Sequence, residues 1–334
     1  MLDAGNNPLP GMPHVESPLF ERWLSTAGLT PDEERIARDL NVKGFAVIDF
    51  PVDDFDSMAD ELLADLKTKK QFADVAKIGP DSPAEPGGRI GNYTENAHVR
   101  EIACNQKVLD LLSKLYGRRA FPFQTLNFAM GTQQHYHSDS VHFSSVPERF
   151  MCGVWVALED IGPDQGPLVY YPGSHKWPIL YFDQLGIGLG HKRSRPAQEF
   201  YHDAWTAYVE ANGVEPEYFH AKKGQALIWA ANLLHGGITH NDHTKTRWSQ
   251  VTHYYFDDCC YVVPMRSNPR MNRMFIREGV TDISTGEVIE NKYFGHPATD
   301  ELPPAPTVGG AISYQIETYF RRRKVKKFAR TLAS

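Results

Sequence analysis

Five apolar segments of strand length fall between residues 120 and 260, and they narrow the folds open to this chain: FQTLNFAM, RFMCGVWVAL, PLVYYPG, QALIWAANLL and RWSQVTHYYF. Each is short, contains β-branched or aromatic residues, and has Gly, Pro, Asn or Asp at or within two residues of its end, as strands of an antiparallel structure do. The region ahead of them has a different texture. Thr30-Pro31-Asp32-Glu33 is a capping-box start with Pro at the first helical position, which predicts a helix to about Leu40. The run GFAVIDF over 44–50 predicts a strand. Phe55, Met58, Leu62, Leu63 and Leu66 then recur at helical spacing. Asn105 caps a third helix with Val108, Leu111, Leu112 and Leu115 on one face and Gly117 as its stop.

Helices first and strands afterwards predict helices packed against a mainly β, antiparallel core. Residues 1–29 are expected to form a tail or strap and 30–264 one domain. An insertion at about 178–220 interrupts the strands and is expected to carry a helix over 205–211. Residues 265–334 are expected to be an extension of coil and a basic terminal helix packed on the same domain.

With 334 residues, 41% hydrophobic and 23% charged, the chain has enough apolar material for a sizeable core. A net charge of −6 gives no general reason to expect nucleic-acid or membrane binding. Cys104, Cys152, Cys259 and Cys260 have neither zinc-site nor disulfide-framework spacing. The N-terminus lacks a basic start and apolar run, and no stretch approaches the roughly 18 apolar residues of a membrane span. A soluble, cytoplasmic protein is expected. The segment RRRKVKKFAR, 321–330, holds seven of the 35 basic residues and no acid. It reads as a solvated helix face or as a patch recognising an acidic substrate or partner.

The chemistry concentrates in Gln133-Gln134-His135-Tyr136-His137-Ser138-Asp139-Ser140. Residues two apart on a strand share a face, so His137 and Asp139 can reach one ion, and imidazole with carboxylate suits a borderline divalent metal. The strand QALIWAANLL ends in His235 and two glycines, which offers a third ligand. Two His and one carboxylate leave coordination positions open for a bidentate 2-oxo acid and for O2. On the next strand Arg247 supplies a permanent charge and a planar fork for a far carboxylate, with Ser249 on the same face as a hydroxyl donor. His135 shares the face of His137 and is a ligand only in a shifted register. His240 and His243 are expected to be solvated in a polar turn, His253 to line the barrel, and His175 to make a structural hydrogen bond.

These motifs, taken in order, resemble the phytanoyl-CoA dioxygenase family, in which HxD is followed by a distal His and then an Arg on the next strand. GVWVALEDIGPDQGPLVYYPGSHKW is similar to the family's central block, GFAVIDFP to its opening strand and GQALIWAANLLHGG to its distal-His strand. The resemblance implies a double-stranded β-helix (a jelly roll, cupin-like) with flanking N-terminal helices. It implies iron(II) held by His137, Asp139 and His235, 2-oxoglutarate as co-substrate held by Arg247, and O2. It also implies hydroxylation of an aliphatic carbon of a small molecule, with release of succinate and CO2. By position Gln124 and Trp155 match places the family uses around 2-oxoglutarate. An intact Asp139 argues against the halogenating variants. Two alternatives stay open: a cupin-like metal enzyme that does not use 2-oxoglutarate, and a binding protein with a degenerate site. The substrate's identity and the oligomeric state are not legible in these residues.

Overall fold

The helix Pro31–Lys43 begins where its capping box places it: Thr30 Oγ1 accepts from Glu33 N at 3.3 Å, and Glu33 Oε2 accepts from Thr30 N at 2.8 Å. Phe55–Thr68 is capped by Asp54, and Gln106–Tyr116 by Asn105, whose side chain accepts from Val108 N. Met58, Leu62, Leu63 and Leu66 on one helix, and Val108, Leu112 and Leu115 on the other, are buried as their spacing predicts. Two helices were not legible in advance, the short Phe20–Leu24 and Ala97–Ala103. The computed structural model describes residues 7–69, 72, 89–90, 92–188 and 195–298.

The strands are β1 (Phe45–Asp49), β2 (Arg89–Ile90), β3 (Ala120–Phe128), β4 (Ser144–Val146), β5 (Met151–Ala157), β6 (Leu168–Tyr170), β7 (Glu217–Phe219), β8 (Gln225–Ala230), β9 (His235–Gly237), β10 (Ser249–Phe256) and β11 (Cys260–Val262). A short pair, Lys292–Tyr293 with His296–Pro297, follows. Six strands form an antiparallel sheet in the order β1-β8-β5-β10-β3-β2; β7-β6-β9 form a second sheet, and β11-β4 a pair.

Alternation divides the six-stranded sheet into two faces. Ala46, Ile48, Cys152, Val154, Val156, Ala226, Ile228 and Tyr254 join Leu62, Leu66, Leu112 and Leu115 of the helices in one apolar cluster. The residues between them, Phe45, Trp155, Leu227, Trp229 and Val251, turn the other way and pack with Tyr170 of β6 and Phe219 of β7. A cavity of about 840 Å³ opens on this second face. Between β3 and β10 the register slips at His253/Tyr254, so that Gln124 pairs with His253 and Pro122 with Tyr254, leaving Phe123 as the extra residue of a bulge.

The helix in the insertion is Ala197–Asn212, longer than the 205–211 expected. It packs through Tyr201 and Trp205 with Val141, Leu180 and Leu234. Residues 265–297 belong to the same compact unit as the sheets and are held along it by backbone bonds such as Ile283 N to Pro122 O (2.9 Å) and Lys292 N to Cys259 O (3.0 Å). Among the described residues no helix is long and apolar enough to cross a membrane. The basic segment 321–330 and residues 191–193 of the insertion lie outside the described residues.

Candidate metal and co-substrate centre

The HxD segment is not a strand. Residues 131–136 run as irregular chain, His137 makes an isolated bridge, and Asp139 opens the one-turn 3-10 helix Asp139–Val141. The shared face expected from strand periodicity arises instead from tertiary pairing. His137 N donates to His235 O at 2.8 Å and His235 N to His137 O at 3.0 Å, which sets the two histidines side by side. Gly236 permits this approach, since a Cβ there would lie 2.8 Å from the Gln134 carbonyl oxygen. The turn bearing Asp139 is pinned from both flanks, with Ser138 Oγ and Ser140 Oγ bonded to Asn232 Oδ1 at 2.9 and 2.8 Å.

One ligand atom from each of His137, Asp139 and His235 falls within 4.8 Å of the others. His137 Nδ1 lies 3.0 Å from the His135 carbonyl and His235 Nδ1 3.0 Å from that of Leu233. A carbonyl can only accept, so each Nδ1 carries the proton and each Nε2 keeps its lone pair for the centre. Burial, with His235 nearby, pushes the His137 pKa down to about 4, so its ring is neutral at physiological pH. Burial alone would raise the Asp139 carboxyl, but His235, His253 and His137 reverse this and hold it well below the usual range. Two imidazoles and a carboxylate, with no lysine or arginine bonded to that carboxylate among the described residues, fit a divalent cation.

Two residues lie against Asp139 that the sequence did not assign to it. Trp229 Nε1 donates to Asp139 Oδ2 at 2.9 Å, and His253 Nε2 lies 3.5 Å from the same oxygen. Trp229 needs a bare backbone beneath it: a Cβ on Gly153 would lie 2.1 Å from its Cζ2. His253 was expected only to line the barrel; its Nδ1 also bonds Gln124 Oε1 at 2.9 Å. The alternation of β8 and β10 puts Trp229 and His253 on the cavity face, but no local pattern pairs either with Asp139.

Arg247 enters the cavity just before β10, its backbone N bonded to Ala129 O at 2.8 Å. It is 1% exposed, and its Nε and Nη2 have no hydrogen-bond partner among the described residues. Burial pushes its pKa down to about 10, so it is charged at neutral pH. Trp155 lies beside it, ring centre 5.4 Å from Cζ, and the Trp155 Nε1 and Ser249 Oγ groups are buried without partners as well. Arg247 and Trp155 thus line the cavity with unspent donors, and Ser249, buried two residues beyond Arg247, holds another; buried polar groups are ordinarily hydrogen-bonded.

His135 lines the cavity outside the ligand group, its ring stacked on His202 of the insertion helix with centroids 4.3 Å apart. His175 makes its structural bond, Nε2 to Asn41 O at 3.2 Å. His240 corrects the expectation of a solvated ring: it is 1% exposed, and its Nε2 meets the Asp242 and Lys245 carbonyls at 3.0 and 3.1 Å. His243 is half-buried beside it, with ring centroids 5.6 Å apart.

A family model described as Phytanoyl-CoA dioxygenase (PhyH) matches residues 34–246, a span that holds the three candidate ligands and stops at the residue before Arg247. No curated protein matches the chain by sequence. Among solved structures the chain is similar to the epimerase SnoN in complex with Fe3+, alpha ketoglutarate and nogalamycin RO (17% identity, TM-score 0.52, 80% of this chain and 96% of that one). It is similar to the non-heme alpha ketoglutarate dependent carbocyclase SnoK from nogalamycin biosynthesis (13%, 0.52, 79% and 95%). It is also similar to EctD from S. alaskensis with bound Fe (18%, 0.51, 68% and 77%). At these identities the likeness is one of fold.

Proposed function

Because the chain belongs to the phytanoyl-CoA dioxygenase family, we propose that it is an Fe(II)- and 2-oxoglutarate-dependent dioxygenase that hydroxylates an aliphatic carbon of a small molecule. The two facing antiparallel sheets are, in this reading, the family's double-stranded β-helix. The observation that carries the proposal is the Arg247 guanidinium, its Nε and Nη2 without a partner among the described residues, buried in the same cavity as the His137, Asp139 and His235 cluster.

His137 Nε2, His235 Nε2 and a carboxylate oxygen of Asp139 hold the metal, and the bonds at each Nδ1 fix the rings before it arrives. Arg247 Nε and Nη2 offer two parallel N–H bonds, the geometry that receives a carboxylate bidentately. The Ser249 hydroxyl and Trp155 Nε1 add donors to the same carboxylate. Trp229 and His253 hold Asp139 so that it presents one face to the metal. When bound, iron and 2-oxoglutarate supply the oxidising chemistry: O2 is consumed, the co-substrate becomes succinate and CO2, and one oxygen atom enters a substrate C–H bond. Trp155, Leu227, Val251 and Tyr170 shield the centre from bulk water.

The test is to reconstitute the protein with Fe(II) and follow 2-oxoglutarate-dependent succinate formation across a library of small molecules, with product mass read in parallel. One iron per chain, succinate release and a product heavier by one oxygen are expected. Metal binding without any 2-oxoglutarate turnover would return the chain to the cupin-like reading. Succinate release with a product that gains no oxygen would keep the enzyme class and overturn hydroxylation.

A further inference from the structure

A second arginine lines this cavity, and it comes from the segment after β11. Arg277 is fixed through its backbone, N to Tyr261 O at 2.7 Å and O from Asn291 Nδ2 at 3.1 Å. Its guanidinium lies over the Phe143 ring, Cζ 4.9 Å from the centroid, and Nη2 donates to the His142 carbonyl at 3.1 Å. Its Nε is buried and makes no hydrogen bond of ordinary geometry among the described residues, although the Tyr255 hydroxyl lies near the guanidinium, and no carboxylate pairs with it there. Other arginines of the chain are differently placed: Arg119 pairs with Asp257 and Asp282, and Arg149 with Glu16. From Arg277 the cavity wall continues through Phe143 to His253, with ring centroids 5.2 Å apart, and on to Asp139.

Charge balance gives this placement a meaning. Among the described residues that line the cavity, Asp139 is the only carboxylate, and Arg247 and Arg277 are the only arginines or lysines. On the function proposed above, a dication and Arg247 offset Asp139 and the dianionic co-substrate. Arg277, itself half-buried, is then left as a positive charge lining the cavity with no anionic partner, which a carboxylate on a ligand would offset.

We infer that Arg277 is a substrate-binding residue and that the natural substrate is a small molecule bearing a carboxylate, which this guanidinium receives. The inference rests on the dioxygenase reading for its charge balance, and on the buried Nε for its geometry. Phe143 holds the guanidinium plane while the Nε–H and the open edge of the fork remain for the ligand. The carboxylate marks the end of the substrate away from the metal, and the atoms reaching past Phe143 and His253 toward the triad are those to be oxidised.

The experiment uses the full chain loaded with Fe(II), kept anaerobic and saturated with 2-oxoglutarate so that the Arg247 fork is filled. Acetate, hexanoate and 3-phenylpropanoate are titrated against acetamide, hexanamide and 3-phenylpropanamide by calorimetry or ligand-observed NMR, in the parent, Arg277→Met and Arg247→Met proteins. At least one carboxylate is expected to bind about tenfold or more tighter than its amide, as a charge-assisted bond provides. This preference is expected to persist in Arg247→Met and to vanish in Arg277→Met. Should the methionine variant fail to fold, Arg277→Gln, which can still donate to the His142 carbonyl, gives the same reading. A parent protein that prefers none of the three carboxylates overturns the proposal, as does a preference that survives at position 277 or is lost only in Arg247→Met. A parallel 2-oxoglutarate titration separates the two readings: failure of 2-oxoglutarate to bind the parent counts against the Arg247 assignment and leaves the Arg277 comparison to be judged by its own variants.

Discussion

Neighbouring residues at the start and middle of β10 meet opposite fates on the two faces of the six-stranded sheet. Toward the helices, Gln250 Nε2 donates to the Val99 carbonyl at 2.9 Å and the Tyr254 hydroxyl to that of Ala103 at 3.0 Å. Toward the cavity, Ser249 Oγ and the Nε and Nη2 of Arg247 find no partner among the described residues. Both faces are buried, so solvent does not account for the difference. A buried polar group without a partner costs about 1–3 kcal/mol, more when charged. Trp248 Nε1 on the helix face, the frame of the fold, is also buried without a partner among the described residues, so the two faces differ in charge: only the cavity face holds a buried cation without a partner there.

The sharpest way to break this comparison is Arg247→Met. A carboxylate that loses its charged partner costs about 3–5 kcal/mol, so 2-oxoglutarate affinity should fall by about a hundredfold or more. Thermal stability should hold or rise, because burial already works against this cation and pushes its pKa down to about 10. Calorimetric binding and melting curves on the same preparation decide it; a fall in both would make Arg247 part of the frame. The frame itself is tested by Leu112→Ala, at a site with 0% exposure on the helix face. Urea unfolding should show a loss of about 2–5 kcal/mol, with metal stoichiometry unchanged.

A histidine of the frame and one of the centre can be separated by acid. Burial pushes His175, 1% exposed, down to about 4, and His137 to a similar value. An unfolded histidine takes its proton near pH 6.5, whereas the folded ones refuse it until about pH 4. Stability should therefore be fully present above pH 6.5 and fall as pH drops toward 4, by up to about 3 kcal/mol for His175 alone. Urea midpoints across that window should flatten in His175→Gln, and iron loading should leave the His175 share unchanged. Iron that abolished the whole acid dependence would place it all at the centre.

The smallest expected effect concerns the support of Asp139. Trp229→Phe removes the N–H bonded to Asp139 Oδ2 and should weaken metal binding about tenfold in a chelator competition. Gly153→Ala should reach the same result by another route, since its Cβ would displace the indole. Full metal affinity in both variants would show that His253 and the backbone orient the carboxylate unaided.

Sequence alone determined the local features of this protein, because their causes are local. The capping box of Thr30 and Glu33, the Asn105 cap and the apolar stripes of two helices rest on contacts within a few residues. The candidate ligands and Arg247 were legible because their spacing in a family pattern survives without knowledge of the path between them. The strand expected at the HxD segment was not realised: Gln133 takes a φ of 52° and His137 pairs across to β9, so long-range pairing replaced local periodicity. His240 was misread for a related reason, since a turn polar in sequence is folded over its ring. Only the tertiary structure decided that Trp229 and His253 reach Asp139, and that Arg277 stands across Phe143 from the centre. Those contacts join segments 90 or more residues apart, and their energies depend on distance and burial that exist only once the sheets have closed.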